Sequence, residues 1–390
     1  MKKINLSEPL VDNNELKSLQ QVLKSGWLTS GKKTVELEET LRTFFKVKNI
    51  IAVNSCTSGL HASLVASDIN SGDEVITSPM TFVSTINNLY HIKAKIILAD
   101  ISLEDFNIEV SDIKNKKTKK TKCILPVHYG GNPSDIEAIK KICKYEKIKI
   151  IEDAACAFGA KIKNKYVGGL NTDAAVFSLY GNKVITSGEG GIIAVNNDAL
   201  ARKIRQLVYC GMSKSIFERR NDKRSWFYHV KQPGFKYNIS DVQSAIALAQ
   251  IKKLKNIIEH RNELFEYYNL NFKEIINDNL VRPLKINKNN KSSNYIYPLL
   301  IKSENLNCTR DHISIFLNSI GVGNTVHYIP AHKHNFYKKM FRKFDLRNCN
   351  YVYDRIISLP MHNNLKKFDI NYICKNLINF VKKNKKKIIF

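Results

Sequence analysis

Between residue 50 and about residue 195 the chain repeats one pattern. A short run of apolar, mostly β-branched residues is followed by a stretch with apolar positions at helical spacing. IIAV (50–53) reads as a strand and TSGLHASLVAS behind it as a helix. DEVIT reads as the next strand, with a helix through FVSTINNLYH after it. KIILAD (95–100), KCILPVH (122–128), KIKIIED (147–153), AAVFS (174–178) and GIIAV (191–195) read as further strands, and SDIEAIKKICKYE as a helix among them. Strand–helix alternation over this length predicts an α/β fold: an open, mostly parallel central sheet covered by helices on both faces. The texture changes from about residue 239. SDVQSAIALAQIKKLKNIIEHRNELFEYY predicts one long helix. NYIYPLLI (294–301), a helical DHISIFLNSI (311–320), the stretch VHYIP and a last helix from about Asp369 complete the chain. The expected division is a large domain over residues 1–250 and a small C-terminal α+β domain over residues 251–390.

The composition, 43% apolar and 25% charged over 390 residues, excludes a wholly disordered chain. No apolar run approaches the roughly 18–20 residues of a membrane helix, so no membrane association is expected. MKKINLSEPL has a basic pair with no apolar stretch behind it, which is not a signal-peptide pattern; a cytoplasmic location is expected. The eight cysteines include no C-x-x-C pair, which argues against zinc-ribbon and thioredoxin-like sites, and no metal is expected. The 62 Lys+Arg against 35 Asp+Glu give a net charge of +27 and raise the question of nucleic acid. The lysines, however, cluster in KNKKTKKTK (114–122), read as a polar loop, and KKNKKK (382–387), read as the frayed end of the last helix. No zinc-finger spacing or RNP-like string accompanies them, so no nucleic-acid partner is expected. A basic surface of this kind draws anionic substrates by its long-range field.

In open α/β sheets ligands bind beyond the carboxyl ends of the strands. After IIAV comes Asn54-Ser55-Cys56-Thr57-Ser58-Gly59 and then a helix. A Ser/Thr-rich turn at a helix start is either an ordinary cap or an anion site made of N–H groups, hydroxyls and the helix dipole. After KIKIIE comes Asp153, which faces a cation or caps the next helix. After AAVFS comes LYGNK, placing Lys183 between two core strands beside a turn with Gly188, Gly190 and Gly191. A desolvated lysine there has its pKa lowered and becomes a nucleophile that forms imines; a solvated loop lysine is the plainer alternative. An anion cradle, a carboxylate and a lysine are together the three handles that pyridoxal 5′-phosphate needs.

Around these residues the chain resembles the DegT/DnrJ/EryC1/StrS family of sugar aminotransferases, within the fold-type-I pyridoxal-phosphate enzymes. The resemblance rests on an ordered set of motifs along almost the whole chain. These are SGWLTSGKKTVELEE (25–39), SPMTFVST (78–85), LPVHYGGNPSDIEAI (125–139), IEDAACAFGA (151–160), FSLYGNKVITSGEGG (177–191), PGFKYNISDVQSAIALAQ (233–250), HYIPAH (327–332) and SLPMH (358–362).

The resemblance implies the following roles. Lys183 holds the cofactor and moves the proton; Asp153 pairs with the pyridine nitrogen; Phe82 stacks on the ring. Thr57, Ser58 and Ser178 bind the phosphate, and Asn238 reaches the phosphate of a neighbouring subunit, which implies a homodimer with shared sites. Cys156 stands where the family usually has Gln or His, and a thiol is shorter and a poorer hydrogen-bond partner. His327 and His332 fall in a segment near the family's sugar pocket, and His332 is kept as a candidate substrate contact. The implied reaction moves an amino group from L-glutamate to a nucleotide-linked keto sugar, in a 4-keto-6-deoxy series, for surface polysaccharide. Relatives that dehydrate sugars carry histidine in place of the lysine; that alternative, and a non-catalytic regulator on the same fold, are weighed against the intact Lys183 and Asp153. The loop 211–233 is expected to select the sugar, with Arg219, Arg220, Lys223 and Arg224 either meeting a diphosphate or solvated.

Overall fold

Seven of the apolar runs become the seven strands of one sheet. They are β1 Asn49–Val53, β2 Glu74–Thr77, β3 Lys95–Leu98, β4 Thr121–Leu125, β5 Lys149–Asp153, β6 Ala174–Ser178 and β7 Gly191–Val195. The structure, a computed structural model, describes residues 3–220 and 222–386. Across the sheet the strands lie in the order β1, β7, β6, β5, β4, β2, β3. The block from β6 to β3 is parallel, and β7 runs antiparallel to both its neighbours. All five residues of β6 and of β7 are buried, which is why these runs are apolar throughout and not alternating.

The helices Cys56–Ala66, Val83–His91 and Ile136–Cys143 lie between the strands, and Asp198–Val208 follows β7. The last was not among the expected elements. DALARKIRQLV buries Leu200, Ala201, Ile204, Leu207 and Val208 on one stripe and turns Arg202 and Lys203 outward. The lysine-rich segment 114–122 is only partly a loop. A helix, Val110–Lys116, takes its first residues, with Lys114 and Lys116 in the last turn, where cations suit the helix dipole; β4 already begins at Thr121. The second lysine run straddles the end of the helix Lys367–Lys383: Lys382 and Lys383 form its last turn, Asn384 follows, and Lys387 is outside the described residues.

Two N-terminal helices, Asn13–Ser25 and Lys32–Phe45, pack against the long helix Asp241–Asn271. The second of them begins after Gly31, which has no capping side chain. Asp241 supplies the cap from the other end of the domain. Its Oδ1 accepts from the Gly31 N–H at 2.8 Å, the Thr34 N–H at 2.9 Å and the Thr34 hydroxyl at 2.8 Å, and its Oδ2 from the Lys33 N–H at 3.0 Å. A buried carboxylate at a helix N-terminus is favoured both by these donors and by the dipole.

The expected boundary at residue 250 falls inside the long helix. Leu248, Leu254 and Ile257 belong to the core under the large sheet, while Leu264, Phe265 and Tyr268 belong to a second core. That second core lies against a three-stranded antiparallel sheet with Tyr297–Ile301 between Val281–Pro283 and Ile356–Leu359, and includes residues of the helices Arg310–Ser319 and Lys367–Lys383. Arg261 ties the parts together. Its buried guanidinium donates to the carbonyls of Asn294, Tyr295 and Met361 and to Asn363 Oδ1, at 3.0–3.2 Å. Burial pulls its pKa down to about 10, so it stays charged at neutral pH among carbonyl dipoles. VHYIP is not a strand: after a bridge from Thr325 to Ser358 the chain leaves the small sheet. No helix of the described residues is long and apolar enough to cross a membrane.

The Asp241 cap generates a prediction. Asp241→Ala leaves three N–H groups unpartnered at a buried helix start, so stability in urea should fall by roughly 2–4 kcal/mol with little change in far-UV circular dichroism. A loss below about 0.5 kcal/mol would show that the N-terminal helix needs no cap from the long helix.

Candidate active site

The carboxyl ends of β1, β5 and β6 open into a cavity of about 520 Å³, within the range of small-molecule sites. Its walls come from both halves of the chain. Ahead of the long helix lie Ser55, Cys56 and Thr57, Thr81 and Phe82, Asp153 and Cys156, and Ser178, Tyr180, Asn182 and Lys183; beyond it lie Tyr295 and the segment Thr325 to Tyr328, where Tyr295, Val326 and Tyr328 pack with the core of the large sheet.

Asp153 ends β5 and is 5% exposed. Its Oδ1 accepts the Ala155 N–H at 3.1 Å and its Oδ2 the Thr85 hydroxyl at 2.6 Å. The helix expected after Asp153 does not form: residues 154–160 are turns, so the side chain makes a local backbone contact within a turn, and it also lines the cavity. Lys183 sits in the hairpin between β6 and β7, held by its N–H to the Tyr180 carbonyl at 2.9 Å. Its Nζ lies 3.3 Å from Cys156 Sγ and 4.2 Å from the centre of the Tyr295 ring. The expectation of a lowered pKa is not met. Burial does work against the ammonium, but the Cys156 sulfur and Tyr295 hydroxyl outweigh it and hold the amine above the ordinary lysine value. The same charge, added to burial, pushes His327 down to about 4. His327 is therefore a neutral imidazole near pH 7, with Nδ1 2.9 Å from the Ser358 hydroxyl.

Phe82 is 60% exposed, so packing in the core does not explain an aromatic there; it caps the Val83–His91 helix and stands on the cavity wall, 6.3 Å from the Tyr328 ring. Tyr328 is half-buried, and its hydroxyl lies 3.5 Å from Cys156 Sγ. Cys156 is thus the shared neighbour of Lys183 and Tyr328.

At the helix start the hydroxyls divide. Thr57 is exposed toward the cavity, and Ser55 also lines it. Ser58 does not line it: its hydroxyl is buried and donates to Asn54 Oδ1 at 2.6 Å, while its N–H is capped by Ser55 Oγ at 3.1 Å. Ser178 lines the cavity, with Oγ accepting the Tyr180 N–H at 3.2 Å. Nearby Asn182 Oδ1 is buried and has no partner among the described residues. Exposed and unpartnered polar groups around the first turn of an eleven-residue helix fit a phosphate.

Besides Ser58, two expected residues lie outside this chain's cavity. His332 stands in the short turn Ala331–Lys333, which directs its Nε2 to Asn350 Oδ1 at 2.8 Å; His327 takes the place in the wall. Asn238 bridges to Val53 beyond the sheet edge and donates to Ser30 Oγ at 2.7 Å. The basic residues of the 211–233 loop are also elsewhere: Arg219 donates to the Ser225 carbonyl at 2.9 Å, and Arg220 lies over the Trp27 ring. Asn221 in that loop is outside the described residues.

His128 lines the cavity too, and its partners define its state. Nδ1 accepts the Ser134 N–H at 3.0 Å, so Nε2 carries the hydrogen and donates to the buried Glu152 at 2.9 Å. Tyr295 and Tyr328 were read only as parts of apolar runs.

Comparison with known proteins accords with this geometry. A protein of Methanocaldococcus jannaschii, MJ1066, of uncharacterized function, is 39% identical over 96% of both chains. The spore coat polysaccharide biosynthesis protein SpsC of Bacillus subtilis is 34% identical over 96% of both. Among solved structures, Helicobacter pylori PseC, an aminotransferase involved in the biosynthesis of pseudoaminic acid, superposes with a TM-score of 0.90 at 31% identity, covering 98% of this chain and 100% of its own. The sequence profile of the DegT/DnrJ/EryC1/StrS aminotransferase family matches residues 9–378, nearly the whole chain, and the protein belongs to that family.

Proposed function

We propose that the protein binds pyridoxal 5′-phosphate and transfers an amino group from L-glutamate to a nucleotide-linked keto sugar, of the 4-keto-6-deoxy class, in surface-polysaccharide synthesis in the cytoplasm. The observation that carries this reading is the convergence of Lys183, Asp153 and the Thr57 turn in one cavity. When bound, the cofactor supplies an electron sink for the carbon that loses its proton. Asp153, already partnered through both oxygens by donors, is suited to hold a protonated pyridine nitrogen in a low-dielectric site. Phe82 offers an exposed ring face, and Thr57, Ser178 and Asn182 offer polar groups to the phosphate. Cys156 would meet the cofactor through its sulfur, where a weak acceptor leaves Lys183 freer than an amide partner would. Lys183 would carry the cofactor at rest and move the proton during amine exchange.

The alternative of a sugar dehydratase is disfavoured because Lys183 stands where such relatives carry histidine. A regulatory protein without catalysis is disfavoured by the intact Lys183 and Asp153. The names of the relatives point to spore coat polysaccharide and pseudoaminic acid biosynthesis, which supports a sugar acceptor.

Four experiments test the reading. Purified protein incubated with L-glutamate and a panel of nucleotide-linked keto sugars should yield an amino sugar and 2-oxoglutarate by mass spectrometry; dehydrated sugar without nitrogen would overturn the transferase assignment.

Borohydride should fix the cofactor on Lys183 and on no other lysine. Because the free amine is held above its ordinary pKa, its reactive neutral fraction rises with pH. Cofactor uptake by the stripped enzyme should therefore accelerate by roughly tenfold per unit between pH 7 and 9. Uptake that is flat over this range would mean the lysine is already neutral.

Asn238 lies outside its own chain's cavity, as it must if it serves a partner's phosphate. Lys183→Ala and Asn238→Ala, each inactive, should regain activity on mixing, because one site of a mixed dimer receives both intact residues. No recovery between subunits shown to have exchanged would remove Asn238 from any shared site.

A further inference from the structure

Thr85 reaches Asp153 from the Val83–His91 helix, across 68 positions of sequence. Its hydroxyl is fully buried and donates to Asp153 Oδ2 at 2.6 Å. The Thr85 hydroxyl oxygen also lies 2.8 Å from Thr81 Oγ1. A hydroxyl has one hydrogen. Since Thr85 gives its hydrogen to the carboxylate, it receives one from Thr81, and the polarity runs Thr81 to Thr85 to Asp153. Thr81 lines the cavity and Thr85 stands behind it.

We propose that Thr85 is the positioning residue of this site: held by Thr81, it fixes the Asp153 rotamer so that the carboxylate meets the pyridine nitrogen in one orientation. The inference rests on the cofactor reading above and deepens it. A geometric point carries it. A donor on Oδ2 and the Ala155 N–H on Oδ1 hold the carboxyl plane from two sides, so its remaining lone pairs have one orientation relative to the cavity. A carboxylate held in that orientation keeps its charge beside the ring nitrogen, and a nearby negative charge favours the protonated ring. The donor is also neutral. A lysine or arginine at position 85 would hold Asp153 as firmly, but its charge would oppose a pyridinium nearby. A chain of two hydroxyls strengthens each bond by polarisation without adding charge. The segment SPMTFVST therefore contributes more than the exposed Phe82: its two threonines, four residues apart, support Asp153 from behind.

The test uses full-length enzyme loaded with pyridoxal phosphate labelled with nitrogen-15 in the ring, and four variants: Thr85→Ser, Thr85→Val, Thr85→Ala and Thr81→Val. Val and Ala both remove the hydroxyl but differ in bulk, so an effect common to both is due to the hydroxyl and not to packing, and either one that folds suffices. In wild type and Thr85→Ser the ring nitrogen should show a pyridinium chemical shift from pH 6 to 9. In Thr85→Val and Thr85→Ala it should move toward the neutral-pyridine value, with kcat/KM lower by roughly ten- to a hundredfold, the scale of one hydrogen bond to a charged group. Thr81→Val should move it in the same direction and less far. Wild type that takes up no cofactor would sink the reading on which this rests. Wild type with a protonated nitrogen beside Thr85→Val or Thr85→Ala of unchanged shift would overturn the role of Thr85 alone. A drop in activity that Thr85→Ser fails to rescue would also overturn it.

Discussion

The site depends on one close approach of backbone to backbone. Gly191, the first residue of β7, pairs with Val53 at the end of β1 on one side and with Ser178 at the end of β6 on the other. It also abuts the start of the Cys56–Ala66 helix. A Cβ at this position would lie 2.6 Å from the Ser55 carbonyl carbon and 2.7 Å from the Cys56 nitrogen. Those are main-chain atoms and cannot rotate aside, so only glycine lets the strand and the helix start meet. The antiparallel course of β7 makes this geometry possible. A parallel strand in the same place would bring its carboxyl end to this edge and require a crossover in place of the short hairpin that carries Lys183. The distance from the lysine loop to the Thr57 turn is thus set by a residue with no side chain.

Much of this was legible in the sequence, for a physical reason. Strands buried on both faces must be apolar throughout, and AAVFS and GIIAV match their strands residue for residue. The rule that ligands lie beyond strand ends then led directly to Asp153 and Lys183. What was not legible depends on rotation or on distant chain. In NSCTSG, composition does not show which hydroxyl faces the cavity; the phase of the helix decides it, turning Thr57 outward and Ser58 back to Asn54. In HYIPAH, a short turn separates the fates of the two histidines. Tyr295 was hidden in an apolar run that reads as core, and so was its effect. The amine of Lys183 is held above its usual pKa partly by a residue more than a hundred positions away. No local pattern carries that information. The helix Asp198–Val208 was not among the expected elements, although its apolar stripe and Asn197 cap are local features of the sequence.

The joint between the two cores is polar. Arg261 is buried, has no carboxylate partner among the described residues, and offsets its desolvation through four oxygens. Three are carbonyls, which need no ionisation and do not respond to pH. One is the carbonyl of Tyr295, whose ring covers Lys183. The long helix therefore does more than connect the two cores: it fixes the backbone of the aromatic that lies against the lysine.

The cap on the second N-terminal helix has a consequence for the order of assembly on the ribosome. Asp241 lies 207 residues beyond the Thr34 it holds. At roughly 5–20 residues per second, the helix start waits about 10–40 s for its carboxylate. β1 waits as well, because its neighbour in the sheet is β7, whereas β2, β3, β4 and β5 find parallel partners among segments made close together in time. The amino-terminal segment is therefore made first and completed last. Until the long helix emerges, the apolar stripe of Leu37, Leu41 and Phe45 has no finished surface to cover it. The nascent chain carries that stripe through most of its synthesis, which makes this segment the natural point of engagement for a chaperone.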